Sequence, residues 1–217
     1  MASQTEQLEQ IENHVRNNVP ENIKKIIFQA IDDHKVAFDP CKVIKTGEKF
    51  PDFTLSNAVN KEISYSDLLA ASKKGILITF YRGEWCPYCN VSLAFLQKHL
   101  VDFQARGVTV VAISPELPNT SITTAEKHAL KFEVLSDAGN KVARELGIVW
   151  RQFDSLAEVS KAMGVDQVQR NGDDSREIPV PTNLLVDKSG TVRNVYTDPD
   201  WSKRLEPSVM LGWADKL

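Results

Sequence analysis

The fold is decided by residues 75–114, which read GILITFYRGEWCPYCNVSLAFLQKHLVDFQARGVTVVAIS. Residues 75–81 and 108–114 are two nearly continuous apolar runs, typical of strands that are buried on both faces. Between them apolar residues recur at spacings of three and four until Gly107, which predicts a helix. These helical apolar positions are Leu93, Leu96, Leu100 and Phe103. Strand, helix and strand together predict a βαβ unit with a right-handed crossover, and therefore an α/β protein.

Weaker patterns on both sides of this unit predict further elements. Upstream, a turn that leads into a short strand is expected within Gly47–Leu55, and a capped helix start at Ser66. Downstream, a β-hairpin is expected from two apolar runs that flank the turn Lys188-Ser189-Gly190. The remaining predictions are helices over Thr123–Leu130, Asn140–Leu146 and Ser155–Met163, a strand over 133–135, and a final helix from Pro207.

The first 38 residues have the pattern of amphipathic helix. Apolar residues recur there at spacings of three and four, and Pro20 interrupts the series, which predicts two helices with a break. We interpret residues 1–40 as an N-terminal helical extension that packs on the core or on a second subunit. Residues 41–217 then form the main domain.

Length and charge exclude several classes of protein. A chain of 217 residues is long enough to bury a hydrophobic core. Its 26 basic and 29 acidic residues give a net charge of −3, which predicts no nucleic-acid partner. The longest apolar run is too short for a membrane span, and the first residues lack the pattern of a secretory signal. A soluble cytoplasmic protein is therefore expected.

Only three cysteines are present, so a disulfide framework is excluded. Cys41 stands alone, whereas Cys86 and Cys89 lie where strand 75–81 ends and the helix begins. Pro87 is favoured at the first helical position because its missing N–H would be unpaired there. Residues three apart on a helix lie within disulfide reach, so the pair can open and close with little backbone movement. This spacing predicts a redox-active dithiol.

Elementary electrostatics assigns different roles to the two sulfurs. A thiolate at a helix N-terminus faces unpaired N–H donors, which lower its pKa. Cys86 is therefore expected to be the exposed, activated sulfur, and Cys89 the partner shielded by Tyr88. Arg82 is expected to add positive charge, and Trp85 to form a flat wall beside the sulfur.

Two alternatives compete with the redox interpretation. Tetrahedral zinc needs about four ligands. Beyond this pair the chain offers Cys41 and four scattered histidines, so no metal site and no cofactor are predicted. The other alternative is a pair of inert thiols.

The sequence around this motif resembles the peroxiredoxin-like proteins with a Cys-x-x-Cys motif, in the alkyl hydroperoxide reductase/thiol-specific antioxidant superfamily. The blocks that carry the resemblance run in the same order and spacing over about residues 45–210. They are Phe50–Leu55, Phe80–Asn90, Ala112–Pro115, Val134–Asp137, Asn171–Asp173, Ile178–Pro181 and Asp198–Trp201 with Arg204. The resemblance implies a thioredoxin-like fold with a central mixed sheet flanked by helices. It is also compatible with a homodimer.

The chain departs from the peroxiredoxin motif, in which a proline and a threonine precede the peroxide-reactive cysteine by seven and three residues. If that cysteine is Cys89, the two positions hold Arg82 and Cys86. If it is Cys86, they hold Thr79 and Gly83. Neither register fits, so the usual peroxide-binding groups are missing and peroxidase activity is in question.

Two further groups are also missing, one typical of peroxiredoxins and one typical of thioredoxins. The distant arginine of peroxiredoxins falls on Pro181 in this chain, and the buried acid of thioredoxins falls on Phe80. By the same resemblance Pro181 occupies the position of a cis-proline that faces the active sulfurs, and a cis bond is expected there.

The leading hypothesis is a thiol-dependent oxidoreductase that cycles Cys86 and Cys89 between dithiol and disulfide. Cys86 attacks a substrate disulfide and Cys89 resolves the mixed disulfide. If peroxide is the substrate, one cysteine becomes a sulfenic acid, and Cys89 is the candidate by its alignment. The expected partners are a thiol reductant, from the thioredoxin or glutathione system, and a disulfide or peroxide substrate. The alternative is a repurposed fold that acts as a small-molecule biosynthetic enzyme or binding module without redox turnover.

Overall fold

Nine strands and nine helices occur in the part of the chain that the computed structural model describes, residues 2–119 and 129–217. The strands are β1 (Thr54–Asn57), β2 (Glu62–Ser64), β3 (Gly75–Phe80), β4 (Val108–Ser114), β5 (Glu133–Ser136), β6 (Val149–Arg151), β7 (Glu177–Pro179), β8 (Thr182–Asp187) and β9 (Val192–Thr197). The helices are α1 (Gln4–Asn18), α2 (Glu21–Ala37), α3 (Tyr65–Ala71), α4 (Pro87–Lys98), α5 (Leu100–Ala105), α6 (Lys141–Glu145), α7 (Asp154–Ala162), α8 (Gln167–Asn171) and α9 (Pro207–Ala214). The helix expected over Thr123–Leu130 falls almost wholly outside the described ranges.

The predicted βαβ unit forms the centre of a mixed sheet. Seven strands lie in the order β2-β1-β5-β4-β3-β8-β9. Strands β3, β4 and β5 run parallel, whereas β8 pairs antiparallel with β3 on its other side. Every residue of β3 is buried, as its apolar sequence requires of a strand covered on both faces. The α/β fold with a central mixed sheet and flanking helices is therefore confirmed.

The long helix expected after the cysteine motif is two consecutive helices. Helix α4 ends at Lys98 and α5 begins at Leu100, with His99 between them at φ −100° and ψ 9°. The His99 ring lies 3.0 Å from a carboxylate oxygen of Asp102, within the first turn of α5. The predicted apolar stripe nevertheless packs as one face, because Leu93, Leu96 and Phe103 are all at most 1% exposed.

The N-terminal helices break at Pro20 as predicted and pack on the rest of the protein. Residues Ala30 and Ile31 of α2 share a buried cluster with Leu156 of α7 and with Trp201. These helices therefore pack on the core, which is one of the two arrangements that the sequence led us to expect. The division into an extension over 1–40 and a domain over 41–217 stays a prediction. Within the described ranges, no helix is long and apolar enough to cross a membrane.

Residues 149–179 contain more structure than their sequence suggested. Strands β6 and β7 pair antiparallel, with Trp150 opposite Ile178. Helix α7 lies between them in sequence, one residue from the predicted bounds at each end, and packs against α2. Helix α2 of the N-terminal segment therefore packs against this small unit.

We predict that the N-terminal helices contribute to global stability. Ile31 is 7% exposed, so Ile31→Ala should lower the free energy of unfolding by about 2–4 kcal/mol through lost burial and a residual cavity. The matched control is Val36→Ala on the same helix, since Val36 is 88% exposed. Urea denaturation should show a change for the control within about 0.5 kcal/mol. Equal effects of the two substitutions would contradict the packing described here.

Candidate active site

Cys86 and Cys89 lie at the junction of β3 and α4, as predicted. Cys86 is the N-cap residue of α4, with φ −89° and ψ 110°, and Pro87 occupies the first helical position. Cys89 follows within the first turn. The two sulfur atoms are 2.8 Å apart and both residues are free cysteines. The structure therefore brings the two sulfurs into direct contact.

The expected exposure of Cys86 is wrong, because both cysteines are only 1% exposed. They belong to a buried apolar cluster that contains Leu93 and Ala112, with the rings of Trp85 and Tyr88 packed against it. Sequence spacing placed Cys86 at the end of a helix but could not show what covers that end.

The pKa shifts of the two thiols run in the opposite sense to the expected one. Burial raises the pKa of the Cys89 thiol, but the hydrogen bond with Cys86 and the positive charges of Arg204 and Arg82 outweigh it. The backbone N–H of Arg82 acts in the same direction, and together these groups lower the pKa of Cys89 to about 5. Burial, the hydrogen bond and the charge of Cys89 together raise the pKa of Cys86 well above its ordinary value. These directions, together with the Arg204 contact at 3.4 Å, favour Cys89 as the thiolate and Cys86 as the thiol beside it.

Arg204 belongs to one of the sequence blocks that resemble the family, but the sequence predicted no role for it. The structure places it at the candidate site. Its Nη2 lies 3.4 Å from the sulfur of Cys89. Its Nη1 donates to the backbone carbonyls of Trp201 and Lys203, which hold the guanidinium in place. Arg204 follows β9 in sequence and is 115 residues from Cys89, so only the tertiary structure shows the contact.

Arg82 supplies the second positive charge, as the sequence predicted, but in a buried setting. It is 4% exposed, and its guanidinium carbon lies 4.6 Å from the ring centre of Trp85 and 4.7 Å from that of Trp201. Burial lowers the pKa of Arg82, and the nearby cysteines oppose this shift. An arginine remains charged under such conditions, and the two indole faces compensate part of its lost hydration.

The loop that carries Trp85 and Cys86 is fixed by a buried ion-pair group. Glu116, which is fully buried, accepts from the backbone N–H of Glu84 at 2.9 Å and from Arg170 at 3.0 Å. Arg170 also contacts the Glu84 carboxylate at 3.2 Å. Gly83 has φ +143°, and a side chain there would collide with the Trp85 ring. The loop therefore holds the N-cap cysteine in one position.

An apolar cavity of about 490 Å³ lies against Cys86. Helices α1, α2 and α7 and the active-site loop supply its walls. Its lining includes Val15, Ile27, Leu156, Val159, Met163, Arg82, Trp85, Cys86, Tyr88 and Trp201. Cys86, rather than Cys89, belongs to this wall. A molecule that enters through the cavity therefore meets the protonated sulfur first.

The expected cis bond before Pro181 is wrong, because no cis peptide bond occurs in the residues that the structure describes. Pro181 is buried just before β8, and the bond that precedes it is trans. The Val180 backbone N–H donates to Ile148 at 2.7 Å, and the Thr182 hydroxyl donates to the Val180 carbonyl at 2.9 Å. These contacts hold the chain extended as it leads into β8. The supporting role of Pro181 stays a prediction.

Comparison with known proteins places this site in context. The sequence pattern of the AhpC/TSA family matches residues 46–195. A putative peroxiredoxin bcp from Buchnera aphidicola subsp. Schizaphis graminum is 35% identical over 153 residues, 70% of this chain and 84% of the relative. Peroxiredoxin Bcp of Escherichia coli K12 is 25% identical over 170 residues, 78% of this chain and 95% of the relative.

Solved structures show the same fold. Peroxidoxin BcpB from Mycobacterium tuberculosis superposes with a TM-score of 0.62 at 19% identity, covering 80% of this chain and 98% of that structure. A reduced 2-Cys peroxiredoxin from Plasmodium vivax superposes with a TM-score of 0.60 at 17% identity, covering 79% and 81%. The thioredoxin-like fold that the resemblance implied is confirmed.

We predict that one thiolate forms far below the ordinary thiol pKa and that it belongs to Cys89. In a Cys41→Ser background, the ultraviolet absorbance of the thiolate should rise with a midpoint near pH 5. The same background with Cys89→Ser should lose this transition, because the remaining Cys86 thiol has a raised pKa. Cys86→Ala should move the midpoint to higher pH, since it removes a donor to the thiolate. Loss of the transition in Cys86→Ala instead of in Cys89→Ser would contradict the assignment.

Proposed function

The chain belongs to the AhpC/TSA family, and from that premise we propose that Cys89 reduces hydroperoxides and that Cys86 resolves the product. The protein is a thiol-dependent redox enzyme with an antioxidant type of activity, as the sequence predicted. The alternative of a repurposed fold without redox turnover is not favoured by these relatives.

The observation that carries the proposal is the contact of the Arg204 guanidinium with the Cys89 sulfur at 3.4 Å, with the charge of Arg82 acting on the same sulfur. The thiolate attacks one peroxide oxygen, so that an S–O bond forms and the O–O bond breaks. Cys89 is oxidised to a sulfenic acid, and the other oxygen leaves as an alkoxide or hydroxide. The guanidinium of Arg204 and the charge of Arg82 stabilise the negative charge on both oxygens in the transition state. The neighbouring Cys86 thiol can protonate the leaving oxygen.

Cys86 then completes the oxidative half-reaction. Its thiolate attacks the sulfur of the Cys89 sulfenic acid, a disulfide forms, and the hydroxyl group leaves as water after taking one proton from solvent. The 2.8 Å contact between the sulfurs allows this step without unfolding of α4. One peroxide and two thiols thus yield one alcohol or water, one further water and one disulfide.

This chemistry accounts for the departures from the peroxiredoxin motif. Cys86 occupies the threonine position, and its sulfur lies 2.8 Å from that of Cys89, so its thiol can donate to the Cys89 thiolate and lower the pKa of Cys89. Pro181 occupies the position of the distant arginine, and Arg204 supplies that charge from the segment after β9. In this proposal the threonine hydroxyl is replaced by a thiol at the same position, and the arginine is replaced by one from another segment of the chain.

Geometry also suggests how the disulfide is reduced. Cys86 lines the cavity, so an incoming thiolate reaches this sulfur first. Attack on Cys86 expels Cys89, whose low pKa makes it the better leaving group. The sequence hypothesis had Cys86 attack a substrate disulfide; in this proposal Cys86 is instead the sulfur that the reductant attacks, and Cys89 acts first toward peroxide. A small hydroperoxide suits a sulfur that is 1% exposed better than a bulky protein disulfide does, and a protein reductant would need the side chains over Cys86 to move.

We propose the thioredoxin or glutathione system as the source of the reducing thiol, a homodimer as the assembly, and the cytoplasm as the location. Light scattering of the purified chain tests the assembly. Turnover with thioredoxin compared with glutathione tests the reductant.

We predict that peroxide reduction depends on Arg204. Arg204→Ala should slow the reaction of Cys89 with hydrogen peroxide by about 100-fold, because a charge that stabilises the transition state is lost. Arg204→Lys should retain part of the rate, since it keeps the charge but changes the geometry. Arg106→Ala is the control, because Arg106 pairs with Asp215 away from the sulfurs. Stopped-flow tryptophan fluorescence measures the rates, and equal rates for all four proteins would contradict the mechanism.

We predict opposite fates for the two single cysteine variants. Cys86→Ser should react once with hydrogen peroxide and stop as a sulfenic acid at Cys89, which dimedone traps for peptide mass spectrometry. Cys89→Ser should show no reaction on the same timescale, since its remaining thiol stays protonated. Cys41→Ser serves as the background. A dimedone adduct at Cys86 in the Cys89→Ser variant would reverse the assignment.

A further inference from the structure

The loop that carries Arg204 lies outside the part of the chain that matches the AhpC/TSA family. We define the 198–206 loop as residues Asp198–Glu206, between β9 and α9; it contains Trp201 as well as Arg204. The family match ends at residue 195 and begins at residue 46, so helices α1 and α2 lie outside it too. These two segments, from opposite ends of the chain, contact each other.

Helix α2 anchors the 198–206 loop on one side of Arg204. The Nδ1 of His34 lies 2.8 Å from the Pro199 carbonyl oxygen, and the Lys35 ammonium lies 3.1 Å from the Asp200 carboxylate. His34 is 2% exposed, and its ring stacks on Trp150 with centres 4.1 Å apart. The imidazole is therefore fixed on two sides, and it must donate to the carbonyl.

Helix α1 anchors the same loop on the other side of Arg204. Gln4 is fully buried and donates to the Leu205 carbonyl at 2.9 Å. The backbone N–H and the hydroxyl of Thr5 both donate to the Glu206 carboxylate, at 2.8 and 2.7 Å. Arg204 thus lies between two pairs of anchors, and all four anchoring residues belong to the N-terminal helices.

The loop shapes its own turn but does not fix its position over the sulfurs. Asp200 accepts hydrogen bonds from the Ser202 backbone and hydroxyl, and its own carbonyl accepts from the Lys203 N–H. These contacts are local. Among the described residues, the side-chain hydrogen bonds and ion pairs that bind the loop to another element come from α1 and α2, apart from the Arg204 contact with Cys89. Trp201 and Leu205 add apolar and ring contacts with the rest of the protein.

We propose that His34, with Lys35, Gln4 and Thr5, positions Arg204 against the Cys89 sulfur, so that the N-terminal helices complete the active site. This inference rests on the proposed function, in which Arg204 stabilises the Cys89 thiolate and the peroxide transition state. A guanidinium that must stay 3.4 Å from one sulfur needs a support with little freedom, because small displacements weaken a charged hydrogen bond steeply. The anchors provide that support.

The role of His34 is hydrogen bonding and not charge. Burial lowers the pKa of His34 to about 4, with a further contribution from the charge of Arg82, and outweighs the hydrogen bond to Pro199. The ring is therefore neutral at neutral pH, with its proton on Nδ1. An asparagine at this position can place its amide nitrogen near that of Nδ1, whereas a leucine of similar size cannot donate.

The test compares His34→Leu with His34→Asn in the Cys41→Ser background. The midpoint of Cys89 ionisation should rise by at least about half a pH unit in His34→Leu, because Arg204 is less well placed. His34→Asn should restore most of the wild-type midpoint and peroxide rate. Lys24→Ala is the control, because Lys24 pairs with Glu21 on the same helix and makes no contact with the 198–206 loop among the described interactions. Its midpoint should equal that of the background.

A second arm separates positioning from general destabilisation. In an Arg204→Ala background, His34→Leu should have no further effect on the Cys89 midpoint, since its effect passes through Arg204. An equal rise in both backgrounds, or no rise in a folded His34→Leu protein, would overturn the inference. If His34→Leu does not fold, Lys35→Met tests the same anchor, because Lys35 is 43% exposed and tolerates change. An unchanged midpoint in Arg204→Ala alone would instead refute the proposed function.

Discussion

A buried thiolate needs positive charge beside it, and most features of this site follow from that requirement. Both cysteines are 1% exposed, so an unpaired anion there would be costly. Arg204 and Arg82 supply the charge, and the Cys86 thiol supplies a hydrogen bond. Arg82 is itself buried and is stabilised between the faces of Trp85 and Trp201. Trp85 and Trp201 thus stabilise the Arg82 cation, and Arg82 and Arg204 lower the pKa of Cys89.

In the proposed cycle, the two cysteines take different steps according to charge and access. Cys89 has the low pKa and contacts Arg204, so it is suited to attack peroxide and to leave when the disulfide is reduced. Cys86 lines the cavity and is suited to receive the reducing thiol. The most reactive sulfur is therefore also the one that the protein shields from larger molecules.

Segments outside the family match contribute residues to the candidate active site. Residues 46–195 provide the sheet, the βαβ unit and the cysteine motif. The 198–206 loop adds Arg204 and Trp201, and the N-terminal helices hold that loop through His34 and Gln4. Ile27 of α2 also lines the cavity above Cys86. The helical extension is thus part of the site's construction as well as of the protein's hydrophobic packing.

Sequence alone determined the βαβ unit, the break at Pro20 and the contact between Cys86 and Cys89, because apolar period, proline geometry and helical spacing act over a few residues. From the helix N-terminus alone Cys86 was expected to be the thiolate, whereas the charges that surround the pair in space favour Cys89. Arg204 reaches Cys89 from 115 residues away, and the cover over Cys86 comes from helices at the other end of the chain. Burial and electrostatic pairing depend on distances in space, so only the tertiary structure decided which charged groups surround each cysteine.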